Sequence, residues 1–317
     1  MDHHWHSNEV LGKDSSCWRI RMKYGDENLS AQAWAMDQVG IWYGAWEAKE
    51  LRAALKIDNP LSYLSNINAQ HGLTWEVPSS FLNTAKRFDH IKSQDWVVVY
   101  FENALHLAHI KEGLASSQDH PLNRNGELFK FRQITDKKSF SLNQLPDAFR
   151  LLSSAGRGNV FQFRNGRRLI ELLGQASTAA DVTNILKAKS LDETLDLLGP
   201  TAWESVCLTY LIVNCDFVPA VLAVGKTLAD MDIVGRRKSD GARILAQCKK
   251  SPYPIAIDNG FLQAISDLGE NGIAFYFAYA GCNGYVPNTI TIVDREAILA
   301  WSKTGCGERY FGWLFGT

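Results

Sequence analysis

Over the first half of the chain, apolar and polar positions alternate in short runs. Cys17-Trp-Arg-Ile-Arg-Met-Lys23 carries the period of two that marks a half-buried strand. Val39 to Trp46 predicts a second strand, with Gly40 and Gly44 at points of close backbone approach. Glu47 to Leu55 and Leu61 to Ile67 predict helices. Trp96 to Phe101 and Ala104 to Ile110 predict two strands, joined at Glu102-Asn103 by a tight hairpin. Leu128 to Ile134 and Asn159 to Phe163 predict further strands, and Arg168 to Leu173, just after Gly166, a short helix. Together these predict a mostly β, barrel-like domain within residues 1–175.

Beyond a junction at Gln175 to Ala180, the period changes. Residues 179–188 and 191–198 predict two short helices, so that 176–198 is expected to be a helical linker. Gly199-Pro200-Thr201 is a helix-start signal. The helix it opens, Trp203 to Val213, places Trp203, Val206, Cys207, Tyr210 and Leu211 on one face. Strands follow at Phe217 to Val224, Asp230 to Gly235 and Ala242 to Cys248, then a helix at Asn259 to Leu268. Strands at Gly272 to Ala280 and Thr289 to Val293 and a helix at Arg295 to Trp301 complete the series. Helix, three strands, helix, two strands, helix predicts an α/β domain with a central mixed sheet over 199–317, in a chain that is α+β overall.

Composition narrows the class. A chain of 317 residues is long enough for two domains, and 46 % hydrophobic residues supply ordinary globular cores. The longest apolar stretch, Gly272 to Tyr279, is far short of the roughly 20 residues of a membrane span. The N-terminus lacks a basic-then-apolar leader, so the expectation is a cytoplasmic protein. Six cysteines with no Cys-x-x-Cys pair read as reduced thiols and argue against a zinc ribbon. His3, His4 and His6 read as a frayed polar terminus in preference to a metal cluster. With 33 basic and 34 acidic residues the net charge is −1, without the basic excess usual in nucleic-acid binders. A local basic run, Lys226, Arg236, Arg237, Lys238, Arg243, Lys249 and Lys250, falls around the site described next and reads equally as a nucleic-acid patch or as a solvated face. No Gly-x-x-x-x-Gly-Lys-Ser/Thr loop is present, which excludes this chain alone as an NTP-driven translocase.

The chemistry concentrates in Asp230-Met-Asp-Ile-Val-Gly235 and Ile244-Leu-Ala-Gln-Cys-Lys-Lys250, with the hairpin signal Asp240-Gly241 between them. Gln247 and Lys249 are two apart on one strand and project from one face, beside the strand that Asp232 opens. The Asp232 carboxylate, the Gln247 amide oxygen and a backbone carbonyl are oxygen ligands of the kind Mg²⁺ or Mn²⁺ takes. Lys249 adds a positive charge near an attacking water or a developing phosphorane. Glu204, in the preceding helix, reads equally as a supporting carboxylate through a bound water or as a solvated glutamate near a helix start.

These residues, with Trp203-Glu-x-Val206, Asp232-Ile-Val234 and Ile244-Leu-Ala-Gln-Cys-Lys249 in order, resemble the Mrr-type branch of the PD-(D/E)xK nuclease superfamily, in which the second acidic position is often Gln. The resemblance covers about a third of the chain. It implies a metal-dependent endonuclease domain with Asp232, Gln247 and Lys249 as the catalytic set, Asp232 and Gln247 as metal ligands, and Glu204 in support. Leu228-Ala-Asp-Met-Asp232 replaces the family's Gly-rich approach to the aspartate, which leaves Asp230 as an alternative ligand, with Asp232 preferred because it directly precedes the Ile-Val strand. Asp294 reads as a turn or helix-cap residue.

The first half more weakly resembles the EVE and PUA-like small β-barrels, through the Trp-x-Ile-x-Met strand, Gly40-Ile-Trp-Tyr-Gly-Ala-Trp46 and Ser93-Gln-Asp-Trp-Val-Val-Val99, where Gln94 replaces the group's Gly. That resemblance implies recognition of modified bases. Trp42, Tyr43, Trp46 and Trp96 are then candidates for an aromatic cage around a flipped base, with Trp34 and Trp75 as further contributors; core packing is the competing reading. Alternation already separates Tyr43 from Trp42 and Trp46. The combined expectation is a modification-dependent restriction endonuclease acting on double-stranded DNA that carries, for example, modified cytosine. Cleaving both strands needs two sites, hence a homodimer or pairing on DNA; a role in defence against phage or other foreign DNA follows from the resemblance. The rivals are a non-cleaving nucleic-acid-binding protein on a nuclease-like scaffold and a nuclease acting on RNA or branched DNA.

Overall fold

The computed structural model describes residues 15–154, 158–163, 167–221, 231–268 and 272–316. The chain divides into two units, Met1–Leu145 with Ala155–Val182, and Pro146–Ser154 with Thr183–Thr317. His3, His4, His6, Gly166, Lys226, Leu228 and Asp230 lie outside the described residues.

The elements of the first stretch are β1 (Cys17–Ile20), β2 (Lys23–Tyr24), β3 (Glu27–Asn28), α1 (Ser30–Ala35), β4 (Gln38–Trp42), α2 (Ala48–Ala54), α3 (Pro60–Gln70) and α4 (Ser79–Asp89), then β5 (Trp96–Phe101), β6 (Ala104–Ile110), β7 (Ala115–Ser116) and β8 (Phe129–Ser141). After α5 (Asp147–Ser154) come β9 (Val160–Gln162), α6 (Arg167–Gln175) and α7 (Ala179–Lys187). The strands form a mixed sheet in the order β4-β8-β6-β5-β1-β9, with β7 also on β8; β1 and β5 pair parallel and the other described pairs antiparallel. The sheet curls along β8, whose first part pairs with β4 and whose later part pairs with β6. Among the described residues β4 and β9 end the path without pairing to each other, so the sheet is curled and the pairings do not close it into a barrel.

Local chemistry accounts for these elements. Val97, Val98 and Val99 are fully buried, as a continuous apolar run in a central strand requires. Glu102 and Asn103 both adopt left-handed backbone between the paired Phe101 and Ala104, the two-residue turn that fits strand twist. Gly40 faces the Phe129 ring so closely that a Cβ there would lie 2.3 Å from it. Gln94 keeps a φ of +70°, the conformation a glycine would supply, and the following Asp95 ties the loop by accepting from Ser16 N–H, Lys92 N–H and Trp18 Nε1 at 2.8–2.9 Å. Burial of Lys130 pulls its amine pKa down to about 7, against the attraction of Glu127 and Glu50. Its Nζ donates to Gly44 O and Leu128 O and lies 3.9 Å from the Trp46 ring centre.

The second unit continues with α8 (Leu191–Leu197), α9 (Pro200–Asn214), β10 (Phe217–Val221), β11 (Ile233–Arg237), β12 (Arg243–Lys249), α10 (Asn259–Ser266), β13 (Ile273–Ala278), β14 (Ile290–Val293), α11 (Arg295–Ser302) and α12 (Gly305–Phe315). Its sheet runs β10-β11-β12-β13-β14, antiparallel through β12 and parallel beyond it. Gly199 and Pro200 open α9 as expected, and Asp294 caps α11 by accepting the Ala297 N–H at 2.9 Å. Gly241, at φ +72°, turns β11 into β12. The expected helical linker is corrected: α8 belongs to this unit. Its Asp192 and Asp196 ion-pair with Arg295, and its Leu195 carbonyl accepts from Lys250 Nζ at 3.0 Å. The unit also takes in α5, which packs on α9 and α12. Among the described residues no helix is long and apolar enough to cross a membrane.

Candidate active site

Asp232 stands just before β11 begins, not inside a strand opening at residue 230. The ladder pairs Ile233 with Ala246, which leaves Asp232 across from Gln247. Its N–H donates to Ala246 O at 3.0 Å and its Oδ2 accepts the Cys248 N–H at 2.8 Å, so it is fastened to both neighbours of Gln247. Gln247 and Lys249 follow in the period-two register of β12 and share a face. The structure therefore brings Asp232, Gln247 and Lys249 together at one end of the hairpin.

Gln247 is 4 % exposed, and its amide oxygen has no hydrogen-bond partner among the described residues. A buried acceptor left in this state costs about 1–3 kcal/mol, so it calls for an explanation. Asp232 is half-buried, and its second carboxylate oxygen makes no hydrogen bond among the described residues. Two oxygens of this kind fit a hard divalent cation, which keeps much of its water shell when protein ligands are few. Among the described residues no three His, Cys, Asp or Glu side chains gather as a metal-binding group.

Lys249 forms an ion pair with Asp258 at 2.7 Å. Asp258, the residue before α10, escapes sequence reasoning because it is separated from Lys249 by a loop carrying Pro252 and Pro254. The signal that could have exposed it is its place at a helix start. Tyr276, paired with Gln247 in the sheet, has its hydroxyl pKa raised by burial first and then by the charges of Asp258 and Asp232, among others.

Glu204 stands on the other side of the sheet from the face that Gln247 and Lys249 share. It lies on α9, three residues before Cys207, and Cys207 hydrogen-bonds the thiol of Cys248, which points away from the Gln247 and Lys249 face. Burial raises both thiol pKa values, the Cys207–Cys248 contact lowers one and raises the other, and Glu204 and Asp232 add smaller upward pushes to both. Both carboxylates thus act on the same pair of thiols, with Glu204 on the α9 side of the sheet.

The basic run does not surround this site. Arg236, Arg237 and Arg243 sit at the opposite end of the hairpin, and Lys250 is engaged by α8. The aromatic cage is also corrected. Trp42, Tyr43, Trp46 and Trp96 are between 0 and 7 % exposed. Trp42 packs on Phe129 and donates its Nε1 to Leu122 O, Tyr43 packs on Phe81, Trp46 lies on Lys130, and Trp96 stacks with His109. Trp34 is buried too, and Trp75 is partly buried against the same core. Both faces of β4 are covered, so alternation does not leave one of them open.

In comparisons with protein-family models, curated proteins and solved structures, nothing matches the chain.

Proposed function

We propose that the second unit is a metal-dependent phosphodiester hydrolase that cuts DNA. The observation that carries this reading is the buried, unpartnered amide oxygen of Gln247 directly across from the Asp232 carboxylate. Asp232 and Gln247 would hold Mg²⁺ or Mn²⁺, which when bound activates a water and neutralises phosphate charge. The Cys248 N–H fixes one oxygen of Asp232 and so orients the other. Lys249 supplies positive charge toward the scissile phosphate, and Asp258 holds its ammonium in place. The three segments that carry the nuclease resemblance fall, in order, on α9, at the start of β11 and on β12. Modified DNA remains the proposed substrate and a homodimer the proposed assembly. Trp42, Tyr43, Trp46 and Trp96, all buried, lend the recognition half no support.

A specific observation favours the non-cleaving rival: no trio of metal-ligating acids is assembled among the described residues, and Lys249 is already paired. Plasmid digestion with Mg²⁺ decides between them. Wild type and Lys249→Ala are compared on unmodified DNA and on DNA carrying methyl- or hydroxymethylcytosine. The expected result is cutting by wild type, reduced about a hundredfold or more in the variant. Cutting confined to modified DNA supports the recognition half; cutting of every substrate removes it. If neither protein cuts but both bind DNA, the rival reading stands.

A further inference from the structure

The three arginines that the sequence places near the metal site instead line a separate cavity of about 650 Å³ at the far end of the β11–β12 hairpin. Arg236 and Arg243 face each other across the ladder. Arg236 Nη1 is tied to Gly241 O at 2.8 Å, which holds its guanidinium in place. Arg237 is paired with Asp240 through Nε at 3.0 Å. Arg243 is exposed and makes no side-chain hydrogen bond or ion pair among the described residues. Among the described lining residues, three guanidinium groups stand against the carboxylate of Asp240, a charge of +2. Leu268 and Ile273 supply its apolar wall, and among the described residues no aromatic ring lines it on which a base would stack.

We propose that this cavity is a phosphate site that holds a backbone phosphate of a polynucleotide. A guanidinium presents a planar fork of donors that matches phosphate oxygens in pairs, and an unengaged fork beside a tethered one is a ready cradle for a tetrahedral anion. Position supports a polynucleotide. Arg243, Leu245 and Gln247 alternate onto one face of β12, with Arg236 and Asp232 opposite the first and last of them. The cavity and the Asp232–Gln247 pair are therefore two ends of one strand face, four residues or about 13 Å apart. Phosphates of a B-form strand rise about 3.4 Å per step along the helix axis and also wind around it, so a straight span of about 13 Å covers fewer than four steps. A duplex phosphate seated on the arginines would set which bond reaches Gln247 without reading sequence. The choice of DNA as the polynucleotide rests on the nuclease reading; the anion chemistry of the cavity does not.

The test is the salt dependence of binding by the full chain to a short labelled duplex, followed by fluorescence anisotropy across a potassium chloride series without divalent metal. Each neutralised phosphate contributes about 0.9 to the slope of log K against log salt. The double variant Arg236→Gln/Arg243→Gln is expected to flatten the slope by about 0.9, the share of one phosphate. The double variant Arg236→Lys/Arg243→Lys retains most of the slope, and both variants keep the wild-type thermal midpoint. Equal slopes for wild type and the glutamine variant overturn the proposal, as does a wild type that binds no duplex. Calorimetric binding of inorganic phosphate or a mononucleotide that depends on the arginines, with unchanged duplex slopes, makes the cavity a small-anion site and overturns the polynucleotide. Absence of Mg²⁺-dependent cutting with the slope difference intact sinks the nuclease reading and leaves this site standing.

Discussion

The ammonium of Lys249 and the carboxylate of Asp258 lie 2.7 Å apart across the loop that joins β12 to α10. The pair is open to water, with the two side chains 36 % and 45 % exposed, so its value to stability is at most about 1 kcal/mol. Its role in the proposed site is to aim a charge. Asp258→Asn is therefore expected to leave the thermal midpoint within a few degrees of wild type while lowering the cleavage rate about tenfold, with DNA affinity unchanged or tighter. A large loss of stability with an unchanged rate would make Asp258 a structural residue only.

Gln247 tests whether the unpartnered oxygen is kept for a function. In EDTA, Gln247→Leu removes a buried unsatisfied acceptor at similar volume and is expected to unfold at the same or a higher denaturant concentration, with a gain of about 1 kcal/mol. The same variant is expected to lose cleavage. Destabilisation by more than about 1 kcal/mol in metal-free protein would mean that the amide makes an interaction worth keeping for the fold.

Lys130 gives the first unit a signature in pH. Its folded pKa, about 7, is depressed from the ordinary 10.5, so between those values the unfolded chain binds the proton more tightly. Stability then rises with pH across that window, by up to about 1.4 kcal/mol per unit, and is lost as pH falls toward 7. Urea unfolding followed by tryptophan fluorescence at several pH values is expected to show this rise in wild type and not in Lys130→Met. Parallel pH profiles for the two proteins would contradict it.

The cysteines rank by access. Cys207 and Cys248 are buried with raised thiol pKa values, while Cys306 is exposed. Brief alkylation of native protein is expected to label Cys306 first and to leave Cys207 and Cys248 unmodified until denaturant is added, as read by peptide mass spectrometry. Early labelling of Cys248 would mean that α9 does not cover β12.

Much of the second unit was legible because its signals are local. The Asp240-Gly241 turn, the Gly199-Pro200 start and the Asp294 cap each depend on a few adjacent residues. The Asp232, Gln247 and Lys249 cluster was legible for the same reason: one hairpin carries all three. What failed depended on distant partners. α12 contains Gly305, Gly307 and Gly312, which argue against a helix, yet Phe311 and Phe315 bury against the unit and Gly307 is needed where a Cβ would strike Trp301 O. α1, α4 and α5 were also missed, although Leu82, Ala85 and Phe88 of α4 keep a helical spacing. The sequence favours core packing for the rings of Trp42 and Trp46 but leaves a cage open until the elements covering both faces of β4 are known.

The detour of the chain at residues 146–154 limits what rearrangement can do with this protein. A single cut at any point separates α5 from the rest of the second unit or carries first-unit residues along with it. A gene fragment starting at the apparent junction near residue 176 would therefore encode a C-terminal half missing one of its own helices. The two units are interleaved in the message as well as in the polypeptide, so neither is encoded as one contiguous cassette.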